Sequence, residues 1–385
     1  MNVVRIEKVS GSGEVSTLYD AQHGEAHEDG AVLLRDVESF TSRFAVLPQG
    51  ALLPTLLLAI GTHCFDVFET FPYLALLSPE KGCGKTRTTE VLEQIVAEPV
   101  RAVCISEAAL FRLVEERKPT LILDEAEGLT GKGERVEALR SLLNAGNRAG
   151  AQVPRCVGNS HELRFFPVFC PKIVCAIRVC PETVKDRAIV VPMQRKKPGE
   201  KVERFILRRI RPEGARLRER IEAFVRTNRA AIERAYEGLD VDFLTDRELE
   251  NFEPLLAILA VADASRLLEL RRAAELLAAA KTDAAQDDSL TLRLLADIRT
   301  VWPQSEPKIF SAELRARLKA VEDGPWASDE KFDARKLSRF LRPFSVTPQT
   351  VQIGKDNRKG YYRDHVEAAF DRYLGMQPSE PAEPA

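Results

Sequence analysis

Between Tyr73 and Met193 five short apolar runs are separated by stretches of helical text: Tyr73–Leu77 (YLALL), Arg101–Ile105 (RAVCI), Thr120–Leu123 (TLIL), Lys172–Ile177 (KIVCAI) and Ala188–Met193 (AIVVPM). Runs that are apolar at consecutive positions predict strands buried on both faces, and their alternation with helices predicts a parallel sheet covered on both sides. Upstream, Val37 to Phe71 carries Phe40, Phe44, Leu52, Leu53, Leu56, Leu57 and Leu58, which predicts two short helices broken around Pro48 and Pro54. Downstream, Arg195 to about Lys281 is helical by periodicity and ends in an Ala/Leu-rich helix, Ala257–Ala280. The acidic Asp283–Asp288 (DAAQDD) is a candidate linker. Beyond it, Asp297–Trp302, Ser311–Ala320, Ala334–Leu341 and a strand pair Thr350–Ile353 / Gly360–Tyr362 follow in the order helix, helix, helix, hairpin, which is winged-helix order. The predicted division is an acidic, loop-like and partly disordered arm (1–36), a core with N-terminal helices (37–195), a helical lid (196–282), a small domain (290–374) and a Pro/Glu tail without means of packing (375–385).

Composition narrows the class. With 385 residues, 44% hydrophobic and 30% charged, the chain has ample material for a packed core and is neither a disordered nor a fibrous sequence. Seven cysteines without short paired spacings fit buried thiols in a reducing cytoplasm, and the N-terminus lacks a signal pattern. The longest apolar run, Ala51–Ile60, holds ten residues and contains Pro54, which is too short for a membrane span. The net charge of −2 suggests no nucleic-acid partner by itself, but the charges are segregated. The first 40 residues carry 8 acidic against 3 basic, Arg195–Arg220 carries 11 basic against 4 acidic, and Lys331–Arg363 carries 9 basic against 2 acidic.

The first predicted strand runs straight into Ser78-Pro79-Glu80-Lys81-Gly82-Cys83-Gly84-Lys85-Thr86-Arg87. This is the pattern of a phosphate-binding loop, whose backbone N–H groups wrap phosphate oxygens at a helix N-terminus. Gly82 and Gly84 allow close backbone approach, Lys85 neutralises the β- and γ-phosphates, and Thr86 holds Mg²⁺. Pro79 departs from the pattern, which has glycine there. Thr120–Leu123 ends in Asp124-Glu125, 39 residues after Lys85. The expected roles are orientation of Mg²⁺ for Asp124 and polarisation of the attacking water for Glu125. An acidic helix start is the alternative. A glutamate beside the aspartate, and an extra strand between the two motifs, point to the additional-strand ATPases, with Lys172–Ile177 expected between the first and third strands.

Arg178, at the end of that strand, is a candidate sensor or an exposed loop arginine. Asp186-Arg187, just before the last strand, stands where ATPases of the AAA+ type place an arginine finger that reaches a neighbouring subunit's nucleotide; a surface ion pair is the alternative. Arg247 is a candidate second sensor within the lid. Arg148, at the end of the helix Val136–Arg148, and Arg155, in the loop that follows it, could face a nucleic-acid backbone or solvent. Cys170, Cys175 and Cys180 recur every five residues, which is not a zinc spacing, and read as buried thiols. His63, in an apolar context, reads as structural. In the small domain, Arg335, Lys336, Arg339, Arg342, Arg358 and Lys359 are candidate DNA contacts, with Tyr361 and Tyr362 beside them as stacking surfaces; a protein-docking surface is the alternative.

Taken together, THCFDVFETFP, LLSPEKGCGKTR, LILDEAEG, LLNAGNRAGAQVPR, FCPKIVCAI, DRAIVVPMQRK, FEPLLAILAVAD, DIRTVW, RKLSRFLRPF, RKGYYR and AAFDRYL, spanning Leu33 to Leu374, resemble a P-loop ATPase domain of unknown function found in phage, plasmid and integrated-element proteins, often behind primase modules. The resemblance implies a helicase-like or replication-associated ATPase whose polymerising activity comes from a partner. The expected fold class is α/β, a parallel-sheet P-loop NTPase of the additional-strand, AAA+-like kind with a helical lid and a C-terminal winged helix. The expected function is ATP hydrolysis with Mg²⁺ coupled to DNA, in a homo-oligomeric ring in the cytoplasm. The rival expectation is a nucleotide-gated assembly or defence scaffold that acts on a protein partner.

Overall fold

The structure, a computed structural model, describes residues 4–6, 29–101, 106–124, 134–157, 162–177, 180–303, 305–321, 324–329 and 331–374. The chain divides into two compact units, Met1–Ala280 and Lys281–Ala385.

In the first unit, β1 (Val4–Ile6) is followed by α1 (Gly30–Phe44), α2 (Leu52–Gly61), β2 (Tyr73–Ser78), α3 (Lys85–Leu92), β3 (Pro99–Arg101), α4 (Glu107–Arg117), β4 (Thr120–Leu123) and α5 (Glu134–Ala145). Then come β5 (Gln152–Val157), β6 (Glu162–Pro167), β7 (Lys172–Ile177), α6 (Glu182–Lys185), β8 (Ala188–Pro192), α7 (Leu207–Glu237), β9 (Leu239–Val241), α8 (Asp246–Asp263) and α9 (Leu267–Val301), the last crossing the division between the units. A five-stranded parallel sheet has the order β3-β4-β7-β2-β8, so β7 lies between β2 and β4. Alternation along its strands splits the apolar runs between two cores. Leu74, Leu76, Ile122, Ile173, Cys175, Ile189 and Val191 join α1, α2, α3, α7 and α8 on one side. Tyr73, Ala75, Leu121, Leu123, Val174 and Ala176 join α4, α5 and the β5–β6 hairpin on the other. Both faces are buried, which is why the strands are apolar at consecutive positions.

Several expectations are corrected. Residues 30–36, expected in a loop-like arm, are helical. The Asp29 carboxylate accepts from Ala31 N at 2.9 Å to cap α1, and Leu33, Leu34, Val37, Phe40 and Phe44 are buried at helical spacing. The short strand β1 pairs in parallel with β9. Pro54 does not break a helix but lies in the first turn of α2, where a missing N–H costs nothing. The strand expected at Arg101–Ile105 begins earlier, at Pro99, and includes Arg101; residues 102–105 lie outside the described residues. The Ala257–Ala280 helix is interrupted at Asp263–Arg266. Asp283–Asp288 is no linker loop but part of α9, and Arg155 belongs to an antiparallel hairpin, β5–β6, rather than to a loop.

The second unit adds β10 (Lys308–Phe310), α10 (Ser311–Lys319), α11 (Pro325–Ser328), α12 (Ala334–Leu341), β11 (Gln349–Ile353), β12 (Asp356–Tyr362) and α13 (Arg363–Tyr373). A three-stranded antiparallel sheet, β10-β12-β11, includes a strand absent from the expected order. Its core holds Trp302, Trp326, Phe332, Phe340 and Tyr361, and Trp326 Nε1 donates to Asp297 Oδ2 at 2.7 Å. Among the described residues no helix is long and apolar enough to cross a membrane.

Candidate functional site

The connection from β2 to α3 is built from Pro79 to Gly84. Gly82 and Gly84 have φ values of 81° and 83°, left-handed conformations that side chains disfavour. Residue 84 is the N-cap of α3, so two left-handed positions bring the backbone round into a helix start, an arrangement suited to an anion cradle. Lys85 is buried and its ammonium donates to Ser78 Oγ, whose own hydroxyl donates to Glu80 O at 2.8 Å. The lysine therefore lies back along the loop toward the end of β2. Thr86 is exposed in the first turn, whereas Thr88 and Thr89 spend their hydroxyls on Gly84 O (3.1 Å) and Thr86 O (2.9 Å). Lys81 is exposed and Cys83 buried. Arg87 pairs with Glu90 at 2.8 Å and lies 4.6 Å over the Phe205 ring.

Asp124 follows β4. Leu123 is in register with Val174, and Val174 with Ala75, so Asp124 and the Ser78–Gly84 loop share the C-terminal edge of the sheet, where ligands of parallel α/β sheets bind. Two arginines that sequence did not single out complete this edge. Arg101, at the end of β3, donates to Glu93 Oε2 at 2.8 Å and to Thr89 Oγ1 at 3.3 Å, and stands 3.6 Å from Asp124 Oδ2. Arg195, just beyond β8, pairs with Glu80 at 3.0 Å and donates to Lys81 O at 3.3 Å, so it lies against the loop itself. Glu125 and Arg178 lie outside the described residues.

The opposite, N-terminal edge of the sheet holds three other candidates together. A cavity of about 410 Å³ is lined by Arg148, Arg187 and Arg247 with Asp186, Glu250 and Asn251 among its other walls. Arg187 donates to Thr183 O at 2.5 Å, Arg247 stands 3.6 Å from Asp186 and Arg148 3.8 Å from Glu250. At about 3.3 Å per residue, the length of β2 puts this edge roughly 17 Å from the loop. A role for Arg247 as a second sensor on its own chain's loop does not fit that position. Arg155 is not part of this group: its guanidinium lies 4.9 Å over Phe111.

Beside this edge, Lys172 opens β7 and is fully buried. Its ammonium donates to Gly146 O (2.8 Å), Cys170 O (2.8 Å) and Val168 O (3.1 Å), and burial pushes its pKa down. Sequence gave no sign of it, because a lysine at a strand start ordinarily reads as a solvated end. Cys170, Cys175 and Cys180 are buried. His63 Nε2 lies 2.9 Å from Ile95 O, and burial lowers its pKa, as suits a structural histidine.

In the second unit Arg335, Arg339, Arg342, Arg358 and Lys359 are exposed, on and after α12 and on β12. Lys336 is half-buried and pairs with Asp329 at 2.5 Å, holding that carboxyl below its usual range. Two members of the basic stretch are structural. Arg363 is buried and donates to Trp302 O and to Glu367 Oε1 at 2.9 Å. Tyr361 is in the core, with burial pushing its phenol up to about 12, so only the half-buried Tyr362 remains as a stacking surface.

Comparison with known proteins matches this chain to an uncharacterized 28.9 kDa protein in the xis 5′ region of Saccharopolyspora erythraea, 31% identical over 191 residues, which are 49% of this chain and 71% of that protein. The chain belongs to that protein's family. A family model described as a protein of unknown function (DUF3631) matches residues 192–373. This range begins at the last residue of β8, so it takes in α7, α8 and the second unit as far as residue 373 and leaves the β2–α3 loop outside. A solved structure described as SCCmec type IV Cch, an active helicase, aligns with 90% of this chain and 69% of its own at 9% identity and a TM-score of 0.35.

Proposed function

We propose that this chain binds and hydrolyses ATP at the β2–α3 loop and works on DNA during replication of a mobile element. The observation that carries the reading is the loop itself: left-handed Gly82 and Gly84, buried Lys85 and exposed Thr86 open a helix on the sheet edge that also carries Asp124. The oxygen donors of Thr86 and Asp124 fit a hard divalent cation such as Mg²⁺, which prefers few protein oxygens and the substrate's phosphates. Bound there, the cation would neutralise charge on the transferred phosphoryl group. Lys85 would leave Ser78 for the β- and γ-phosphates, residues 80–87 would supply the cradle, and Glu125 would hold the proton-accepting position toward water. Arg187, on the opposite edge, can serve only a nucleotide carried by another subunit, which implies a ring or other homo-oligomer. The relative's place in an xis 5′ region supports the mobile-element part of the reading.

The exposed arginines of the second unit supply phosphate contacts in this reading. ATP turnover and oligomeric state, measured with and without single-stranded DNA, test it: turnover should rise with DNA in an assembled species. Turnover that ignores DNA and responds to a protein partner would favour a nucleotide-gated scaffold. A triple substitution, Arg335→Ala, Arg339→Ala and Arg342→Ala, should weaken DNA binding across sequences and lower the slope of log affinity against log salt by about 2 to 3. An unchanged slope would remove α12 from the DNA surface.

A further inference from the structure

The cavity at the N-terminal edge of the sheet gathers three arginines from distant points of the chain, and no one sequence motif joins them. We propose that Arg148 and Arg247 act with Arg187 as a receptor for the terminal phosphates of a nucleotide held on the loop of a second copy of this chain. The inference rests on the nucleotide reading above and extends it to two side chains outside the expected finger.

Each arginine stands on backbone held from several sides. Arg148 follows α5 and bridges Thr70, while Phe71 N donates to Asn147 O at 2.8 Å and Ala149 N to Glu69 O at 2.8 Å. Arg187 is fixed through its carbonyl, which accepts from Tyr73 N at 2.9 Å. Arg247 lies in the first turn of α8, and buried Asn251 donates both to Arg247 O (3.2 Å) and to Asp186 O (3.0 Å), tying that turn to the one carrying Arg187. Three arginines thus line one cavity from three separate elements, two of which Asn251 ties together.

Their charge is only partly met. The two lining carboxylates, Asp186 and Glu250, form ion pairs with Arg247 and Arg148 at 3.6 and 3.8 Å, longer than hydrogen bonds, so three guanidinium groups meet two carboxylates in this cavity. Guanidinium groups bind phosphate through paired N–H donors in a fixed fork, and three of them suit the branched anionic tip of a triphosphate. A volume of about 410 Å³ lies in the range of small-molecule pockets. The chain's own loop is on the far edge, so a second copy must supply the nucleotide.

The test uses the full-length chain and its Arg148→Ala and Arg247→Ala variants, with thermal midpoints confirming that both remain folded. Both side chains are more than half exposed, at 66% and 59%. Three quantities are read: binding of an ATP analogue by dilute protein, mass in solution with the analogue, and ATP turnover alone or mixed with Glu125→Gln chains. Each variant should bind the analogue as wild type does, assemble less with it, and turn over ATP about tenfold more slowly. Mixing with Glu125→Gln chains, whose own cavity is intact, should restore turnover. No restoration in mixtures that do assemble overturns the proposal, as does weaker analogue binding by the dilute variants, which would place the arginines on their own chain's nucleotide. Loss of DNA binding with DNA-free turnover unchanged would make the cavity a DNA contact instead, and also overturns it. A wild-type chain that binds the analogue but never assembles sinks this inference alone. A wild-type chain that binds no nucleotide sinks the underlying reading and this one with it.

Discussion

Lys85→Ala is expected to lower ATP turnover by at least about 100-fold, the usual cost of removing one preorganised donor from developing phosphate charge. The substitution should leave the fold intact. Lys85 packs along the loop and gives its hydrogen bond to Ser78 Oγ, a hydroxyl that already donates to Glu80 O, so no buried carbonyl is orphaned by its removal. The loss should therefore appear in nucleotide binding and turnover with little change in thermal midpoint. Glu125→Gln is the paired measurement, because an amide cannot accept the water's proton but leaves the loop as it is. It should retain ATP while turnover falls about 100-fold or more. An unchanged rate in Lys85→Ala would end the assignment of Pro79–Arg87 to phosphate. Equal loss of ATP binding in both variants would mean that Glu125 holds the nucleotide rather than activates water.

Arg101 gives this result a second edge. Its guanidinium links Thr89 of α3 and Glu93, the residue that caps it, to Asp124 across the site. In the proposed reading, a cation entering between Thr86 and Asp124 would compete with that arginine for the same carboxylate, and the site would trade one positive partner for another on binding.

The parallel sheet was legible because its strands are apolar at consecutive positions, and that pattern follows directly from burial on both faces. The loop was legible because the run that ends in Gly84-Lys85-Thr86 starts directly at the end of such a strand. Other features left weaker marks. The β5–β6 hairpin escaped notice because its outer face, including Leu163 and Phe165, is exposed while Arg155 and Arg164 lie over Phe111 and Phe166; polar and apolar positions therefore do not sort by burial. The Asp283–Asp288 segment looked like a linker from its acidity, yet its alanines and glutamine favour helix, and α9 runs through it. The convergence of Arg148, Arg187 and Arg247 was hidden by separation. Each was visible as an arginine in a suggestive place, but only the fold puts the end of α5, the turn before β8 and the start of α8 around one cavity. Tyr361 went the other way: a tyrosine among exposed basic residues reads as a surface group, but alternation along β12 turns it into the core.

Lys172→Met is expected to destabilise the first unit strongly, costing about 3 kcal/mol or more. The apolar stem is conserved in length, so the effect isolates the ammonium. That group uses all three of its N–H donors on the carbonyls of Gly146, Val168 and Cys170, and its removal leaves three buried acceptors to be satisfied elsewhere. The site has no room for a compensating shift on one side, since a Cβ at Gly146 would lie 2.5 Å from Lys172 Nζ and 2.4 Å from Leu142 O. For a unit of this size the thermal midpoint should fall by roughly 5–10 °C. The pH dependence has a definite sign. Burial lowers the folded-state pKa of Lys172 below its ordinary 10.5, so the folded chain binds fewer protons than the unfolded chain between those two values. Wild-type stability should therefore rise with pH in that alkaline window and fall as pH drops back through the folded pKa, and the gap to Lys172→Met should widen in the same direction. Urea unfolding of both proteins at neutral and alkaline pH measures this. A gap that stays constant would show that Lys172 titrates alike in both states, and a gap near zero that its three carbonyls find other donors. Because Gly146 directly follows α5 and stands two residues before Arg148, the same substitution should also loosen the arginine cavity, lowering analogue-dependent assembly without lowering analogue binding by dilute chains.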